Sequence, residues 1–234
     1  MNEISNAPLP ESRPETVLQT WTKALTKPNE QTFVEIASSP KAKATTAYLW
    51  VFVAGLIQFF LTSLVQSQML GTYMEQLGVG SGDFASQGFA SIALTAICGA
   101  PIAAALSTLF FAIGVFIVQW IAKMFGGRGT ADQLAYAMAS ITAPYAIVAG
   151  LLALLAAIPY VGFCFTAILT IAGIYIFVLN VMAVKGVNQI SWGAAIGSLI
   201  IPGLVIGLLC ACLVGVSMAA LIPLIQQSAP NFTP

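Results

Sequence analysis

Few residues in this chain can carry chemistry. There is no histidine among its 234 residues. That removes Ser-His-Asp and Cys-His nucleophile pairs, His-ligated zinc or haem, and the usual proton shuttle near neutral pH. Four cysteines, Cys98, Cys164, Cys210 and Cys212, lie inside long apolar runs. None forms a CxxC pair, and Cys210 and Cys212 would sit about 200° apart on a helix, too far round to clasp one metal. They read as small apolar side chains of a packed interior. No two carboxylates fall together within an apolar run, so a hydrolase built on paired acids has nothing to use. The reading is a non-enzyme without catalytic residues, cofactor or metal.

Three weaker candidates remain. Asp132 opens an apolar run directly after Gly126-Gly127-Arg128-Gly129-Thr130, where a carboxylate suits the positive end of a helix. The glycines could cradle an anion, but the Lys-Ser/Thr of a P-loop is missing, so capping is the expected role. Gln58 and Asn180 are the costlier amides of the apolar runs. They suit either the lining of a polar cavity or a hydrogen bond between helices. Gln119 and the Ser and Thr residues of the same runs read as helix glue.

The elements that must position these residues are membrane helices. Hydrophobic residues make up 59% of the chain and charged residues 7%, and the mean hydropathy is +0.92. A soluble domain carries about 25% charge, so this chain cannot cover itself with a water-facing surface. Eight Lys+Arg balance eight Asp+Glu, which leaves no basic field for nucleic acid. A span needs about 20 apolar residues. The uncharged stretches supply five, near 46–70, 89–122, 133–157, 163–184 and 202–225, the third and fourth separated at Ile158-Pro159-Tyr160-Val161-Gly162. The expected fold is an all-α membrane bundle. With five spans, Arg13, Lys23, Lys27, Lys41, Lys43, Lys123, Arg128 and Lys185 all fall on one side. The positive-inside rule makes that side cytoplasmic, with the tail 226–234 outside. No secretory signal precedes the first span, which is then its own insertion signal.

Residues 1–44 form a polar arm. Its Pro-rich tip gives way at Pro14 to helical spacing of Val17, Leu18, Trp21, Ala24 and Leu25, which Pro28 ends. Asn29 then caps a second run with Phe33, Ile36 and Ala37 on one face. Trp21 and Phe33 anchor an arm that lies at the membrane interface, packs on its own bundle or meets a partner. In the last span Gly203, Gly207, Ala211, Gly215 and Ala219 recur every four residues. Such a stripe lets helices approach closely, either in the bundle or against another membrane protein or second copy. Ala135, Ala139 and Ala143 make a similar stripe in the third span. The second run, with Pro101 inside, would be about 51 Å long as helix, more than a bilayer needs. Ser191–Ile201 is expected along the interface, with the last span starting at Pro202.

The run FGGRGTADQLAYAMASITAPYAIVAGLLALLAAIPYVG, from Phe125 to Gly162, resembles the central stretch of the Yip family of membrane proteins (Ypt/Rab-interacting proteins). The resemblance rests on Gly126-Gly127, Asp132, Ala135-Tyr136, Pro144-Tyr145 and the Pro159…Gly162 turn. Val184-Lys185-Gly186, Ser191-Trp192-Gly193 and Pro28…Phe33-Val34-Glu35-Ile36 are similar to its flanking segments. It implies a five-span protein with no catalytic residues. Eukaryotic members are linked to prenylated Rab GTPases, but their Asp-Leu-x-Gly-Pro arm motif is missing here. The short arm suggests a prokaryotic member in the plasma (inner) membrane. The expected function is a scaffold, adaptor or accessory subunit whose partners are the bilayer and another membrane protein or a second copy. The alternative is a channel or transporter for a small solute or lipid.

Overall fold

The arm folds because its first turns are capped. In a computed structural model, which describes residues 16–76, 89–156, 161–205 and 212, helix α1 spans Val17–Thr26. Thr16 Oγ1 accepts from the Gln19 amide at 3.4 Å, and Gln19 Oε1 accepts from the Thr16 amide at 2.9 Å. This reciprocal box satisfies two amides that a bare helix end leaves open. The helix starts at this box; Pro14, where helical spacing is expected to begin, lies outside the described residues. Asn29 Oδ1 accepts from the Gln31 amide at 3.3 Å and starts α2 (Glu30–Ala37), as its residue type predicts.

Four long helices follow: α3 (Ala44–Gln76), α4 (Phe89–Met124), α5 (Ala131–Ala156) and α6 (Val161–Asn188). Each contains a stretch long and apolar enough to cross a membrane: Ala44–Ser63, Ile97–Met124, Ala131–Leu155 and Ala167–Asn188. Each overlaps one of the first four expected spans with bounds shifted by up to eight residues, while residues 157–160 of the expected turn and most of the fifth expected span lie outside the described residues. A shorter apolar helix, α7, covers Trp192–Val205. It runs unbroken through Pro202, so that proline does not break the helix. The Ser191 carbonyl accepts from the Ala195 amide at 3.0 Å, and Ala195, Ser198 and Pro202 are buried. Capping and burial together start the helix ten residues earlier than Pro202.

Helix α5 is the hub: it packs on α3 and α6 and touches α1, α2 and α4. Its Ala135, Ala139 and Ala143 are fully buried, as the small-residue stripe requires for close approach. Pro144 is buried within the same helix. The core concentrates at the arm-bearing end, where Phe33, Ile36, Trp50, Leu134, Tyr136, Leu179 and Val184 are buried together. The outer ring is apolar and exposed, with Phe110 and Phe116 on α4 and Ile171 and Ile174 on α6. Cys98, Cys164 and Cys212 lie on the surface as well, not in the interior where their apolar surroundings put them. A bilayer accepts small apolar side chains as readily as a core does, so the outward position costs little.

Candidate functional site

The last turn of α4 closes with a glycine in the left-handed region. Gly126 has φ +86°. Its amide bonds the Lys123 carbonyl at 3.0 Å while the Gly127 amide bonds the Ala122 carbonyl at 2.9 Å. These two bonds satisfy carbonyls that would otherwise be orphaned at the helix end. The turn lays residues 127–130 against the end of α6. A Cβ on Gly127 would lie 2.8 Å from the Ala122 carbonyl oxygen and 2.9 Å from Asn188 Oδ1. One on Gly129 would lie 2.7 Å from both the Val187 carbonyl oxygen and Val187 Cγ1. Both glycines are there because backbone meets backbone.

A buried polar joint fills this contact. Gln119 Nε2 donates to the Gly129 carbonyl at 2.7 Å and to Asn188 Oδ1 at 2.8 Å. Asn188 Nδ2 donates to the Val184 carbonyl at 3.2 Å, and the Arg128 amide donates to the Asn188 carbonyl at 3.1 Å. Gln119 is 3% exposed and Asn188 0%. Gln119 Oε1 is buried with no partner among the described residues. The joint ties α4, the glycine loop and α6 into one piece.

The arm is fastened to the same place. A Cβ on Gly186 would lie 2.8 Å from the Glu30 carbonyl oxygen, so α2 rests directly on the α6 backbone. Glu30 pairs with Lys185, whose Nζ also lies 4.7 Å from the centre of the Trp192 ring. Lys23 pairs with Glu35 at 2.7 Å and joins α1 to α2. Trp21 meets Trp50 edge-on, with ring centroids 5.7 Å apart, and Trp50 meets Tyr136 at 4.8 Å. Deeper along α6, the Tyr175 hydroxyl donates to the Leu25 carbonyl at 2.6 Å.

A family model for the Yip1 domain matches residues 22–214. The chain belongs to the Yip1 family. Searches of curated proteins and of solved structures returned no match. The Yip1 match runs from the arm through the polar joint and all four long helices. The family is one of non-enzymatic, trafficking-associated membrane proteins.

Of the positions that carried the Yip resemblance, Gly126 and Gly127 build the joint, while Tyr136 and Pro144 are buried in α5. Asp132 stands in the first turn of α5 but is exposed. The capping bonds are made by its neighbours: Thr130 Oγ1 accepts from the Gln133 amide at 3.3 Å and Gln133 Oε1 from the Thr130 amide at 3.1 Å. Asp132 adds only a favourable charge at the helix start.

Phe33 is 0% exposed and packs on the Yip1 bundle itself, so it does not meet lipid. Trp21 is half-buried with its Nε1 inside and unpartnered among the described residues. Gln58 sits where α3 meets α5, its Cα 3.0 Å from where a Gly150 Cβ would be. Asn180 Nδ2 turns back to the Ile176 carbonyl of its own helix at 2.9 Å, with its Oδ1 buried and unpartnered among the described residues. Helix α5 packs on both α3 and α6, which carry these two amides. Neither lines the apolar cleft of about 330 Å³ beside Leu56, Phe60 and Pro101, or the polar one of about 220 Å³ beside Ser38, Arg128 and Gln133. Gly203 is exposed, with nothing within 4 Å of its Cβ position among the described residues; Gly207, Ala211, Gly215 and Ala219 lie outside the described residues.

Sequence reasoning passed over Asn188, which falls just past the expected span 163–184. A signal was present: a glycine loop and a glutamine in an apolar run both need a buried polar counterpart.

Proposed function

We propose that this Yip1-family chain is a non-enzymatic integral membrane protein that works by binding, as a scaffold, adaptor or accessory subunit. The observation that carries this reading is the joint. The most deeply buried amides, Gln119 and Asn188, are occupied in fastening α4, the glycine loop and α6. The ion pairs Glu30–Lys185 and Lys23–Glu35 fasten the arm above them. The result is a rigid end that can be presented to a partner. Lys27, Lys41, Lys43, Lys123 and Arg128 surround this end, so by the positive-inside rule it faces the cytoplasm. The exposed start of the small-residue stripe at Gly203 offers a helix face to another membrane protein or a second copy.

The test against passage uses reconstituted phospholipid vesicles loaded with potassium salt and carrying a fluorescent lipid analogue. Wild-type protein and Asn180→Leu are expected to leave both ion leak and lipid exchange at the level of protein-free vesicles. A flux that wild type supports and Asn180→Leu abolishes would overturn the binding reading in favour of transport.

A further inference from the structure

The outward face of α1 is free of charge. Its exposed residues within Val17–Thr26 are Val17, Leu18, Gln19, Thr22 and Thr26, Leu18 is 71% exposed, and exposed Lys27 stands just past them at the C-cap. A helix whose outer face meets water normally places charged side chains there. The polar groups on this face are also turned back onto the helix. Thr22 Oγ1 donates to the Leu18 carbonyl at 2.6 Å, Thr26 Oγ1 to the Thr22 carbonyl at 2.6 Å, and Gln19 Oε1 accepts from the Thr16 amide at 2.9 Å. Lys23, the cation of α1, is turned to Glu35 at 2.7 Å.

The depth of α1 follows from its contact with α6. Tyr175, which bonds the Leu25 carbonyl at 2.6 Å, lies within the apolar stretch Ala167–Asn188. It precedes Lys185 by ten residues, about 15 Å along a helix. Lys185 is level with Trp192, and from there α7 exposes Ile196, Ile200 and Leu204. The end of α4 exposes Phe116, Trp120 and Met124, beside the Gln119 that bonds Asn188, and Phe125 just past it lies 3.9 Å from where a Gly197 Cβ of α7 would be. Apolar surface this high on α4 and α7 requires the bilayer to reach the level of the joint. At that membrane level α1 packs on α5 and reaches α6 through the Tyr175 hydroxyl. The Leu25 carbonyl is one of the last four of its helix and has no i+4 amide within it. In hydrocarbon such a group needs an internal donor, and the Tyr175 hydroxyl provides one.

We propose that α1 is seated within the bilayer and not on its surface, with Val17 and Leu18 against lipid acyl chains of the leaflet on the arm-bearing side. Its lipid face continues that of α6, where Ile171 and Ile174 are exposed. Leu18, and not Phe33, is then the arm's membrane contact. This seat follows from membrane embedding alone, whatever the partner.

Single cysteines at Leu18 and, for reference, at exposed Gln31 test it. Each is made in a chain with Cys98, Cys164, Cys210 and Cys212 changed to Ala, spin-labelled, and reconstituted in phosphatidylcholine–phosphatidylglycerol vesicles. The Leu18→Cys label is expected to be relaxed chiefly by dissolved oxygen and the Gln31→Cys label chiefly by a water-soluble nickel chelate. Adding Tyr175→Phe is expected to raise nickel access at Leu18→Cys about tenfold, the factor for one lost hydrogen bond of about 1.4 kcal/mol. A Leu18→Cys label as open to nickel as Gln31→Cys would place α1 in water and overturn the proposal. A label closed to both reagents would mean that protein covers α1, and would overturn it too. Nickel access unchanged by Tyr175→Phe would overturn the anchoring role of that tyrosine.

Discussion

Replacing Asn188 by Leu is expected to lower the stability of the detergent-solubilised protein by about 2–4 kcal/mol, since a buried partner of Gln119 disappears and a branched side chain enters a tight site. Gln119 Nε2 would keep only the Gly129 carbonyl, and its Oε1 already lacks a partner among the described residues. The new methyl groups would enter a space bounded by Gly127 and Gly129, whose Cβ positions lie 2.9 and 3.0 Å from the present Oδ1. Thermal unfolding in mild detergent reads the loss. The double variant Gln119→Leu/Asn188→Leu is expected to recover part of it, because no buried side-chain amide is left unpaired, although the Gly129 carbonyl loses its donor. A double variant as unstable as the sum of the two singles would mean that the pair does not act as a unit.

Gly129→Ala is expected to cost a comparable amount by a different route. The added methyl meets the Val187 carbonyl oxygen and Cγ1 at 2.7 Å, closer than side chains approach backbone, so the loop must lift from α6. Lifting stretches the Gln119–Gly129 bond and the Arg128–Asn188 backbone bond together. Overpacking alone costs about 1–3 kcal/mol, and the two bonds add to it. Gly114→Ala is the control: nothing lies within 4 Å of its Cβ position in α4. Alanine there is expected to be neutral or to stabilise by up to about 1 kcal/mol, the helix-propensity difference. Equal melting of Gly129→Ala and wild type would remove the close approach as the reason for that glycine.

What could be foreseen follows from how far each signal reaches along the chain. Apolar runs and their charged ends are local, so the first four membrane helices and the alanine stripe of α5 were legible. The Asn29 cap was legible for the same reason. Thr130 was passed over in favour of Asp132 because a carboxylate near a helix start is also favourable, although Thr130 and Gln133 have the spacing of a reciprocal cap. The joint was not legible because Gln119 and Asn188 are 69 residues apart, and only the packing of α4 beside α6 brings them together. Phe33 and the cysteines show a limit peculiar to membranes. Lipid and protein interior are equally apolar, so hydrophobicity cannot say which one a side chain faces. Phe33 turned in and the described cysteines turned out. Proline suggests a boundary at Pro202, but the short helix α7 begins at Trp192 and runs through it, with Ala195 and Ser198 buried.

The native mass of the protein extracted in mild detergent tests most directly whether it works by binding. Wild type is expected in a stoichiometric assembly heavier than the 24.5 kDa chain. Gly203→Leu, whose Cβ position meets nothing within 4 Å among the described residues, is expected to fall to the single chain while melting like wild type. A wild-type protein found only as the single chain would contradict the account.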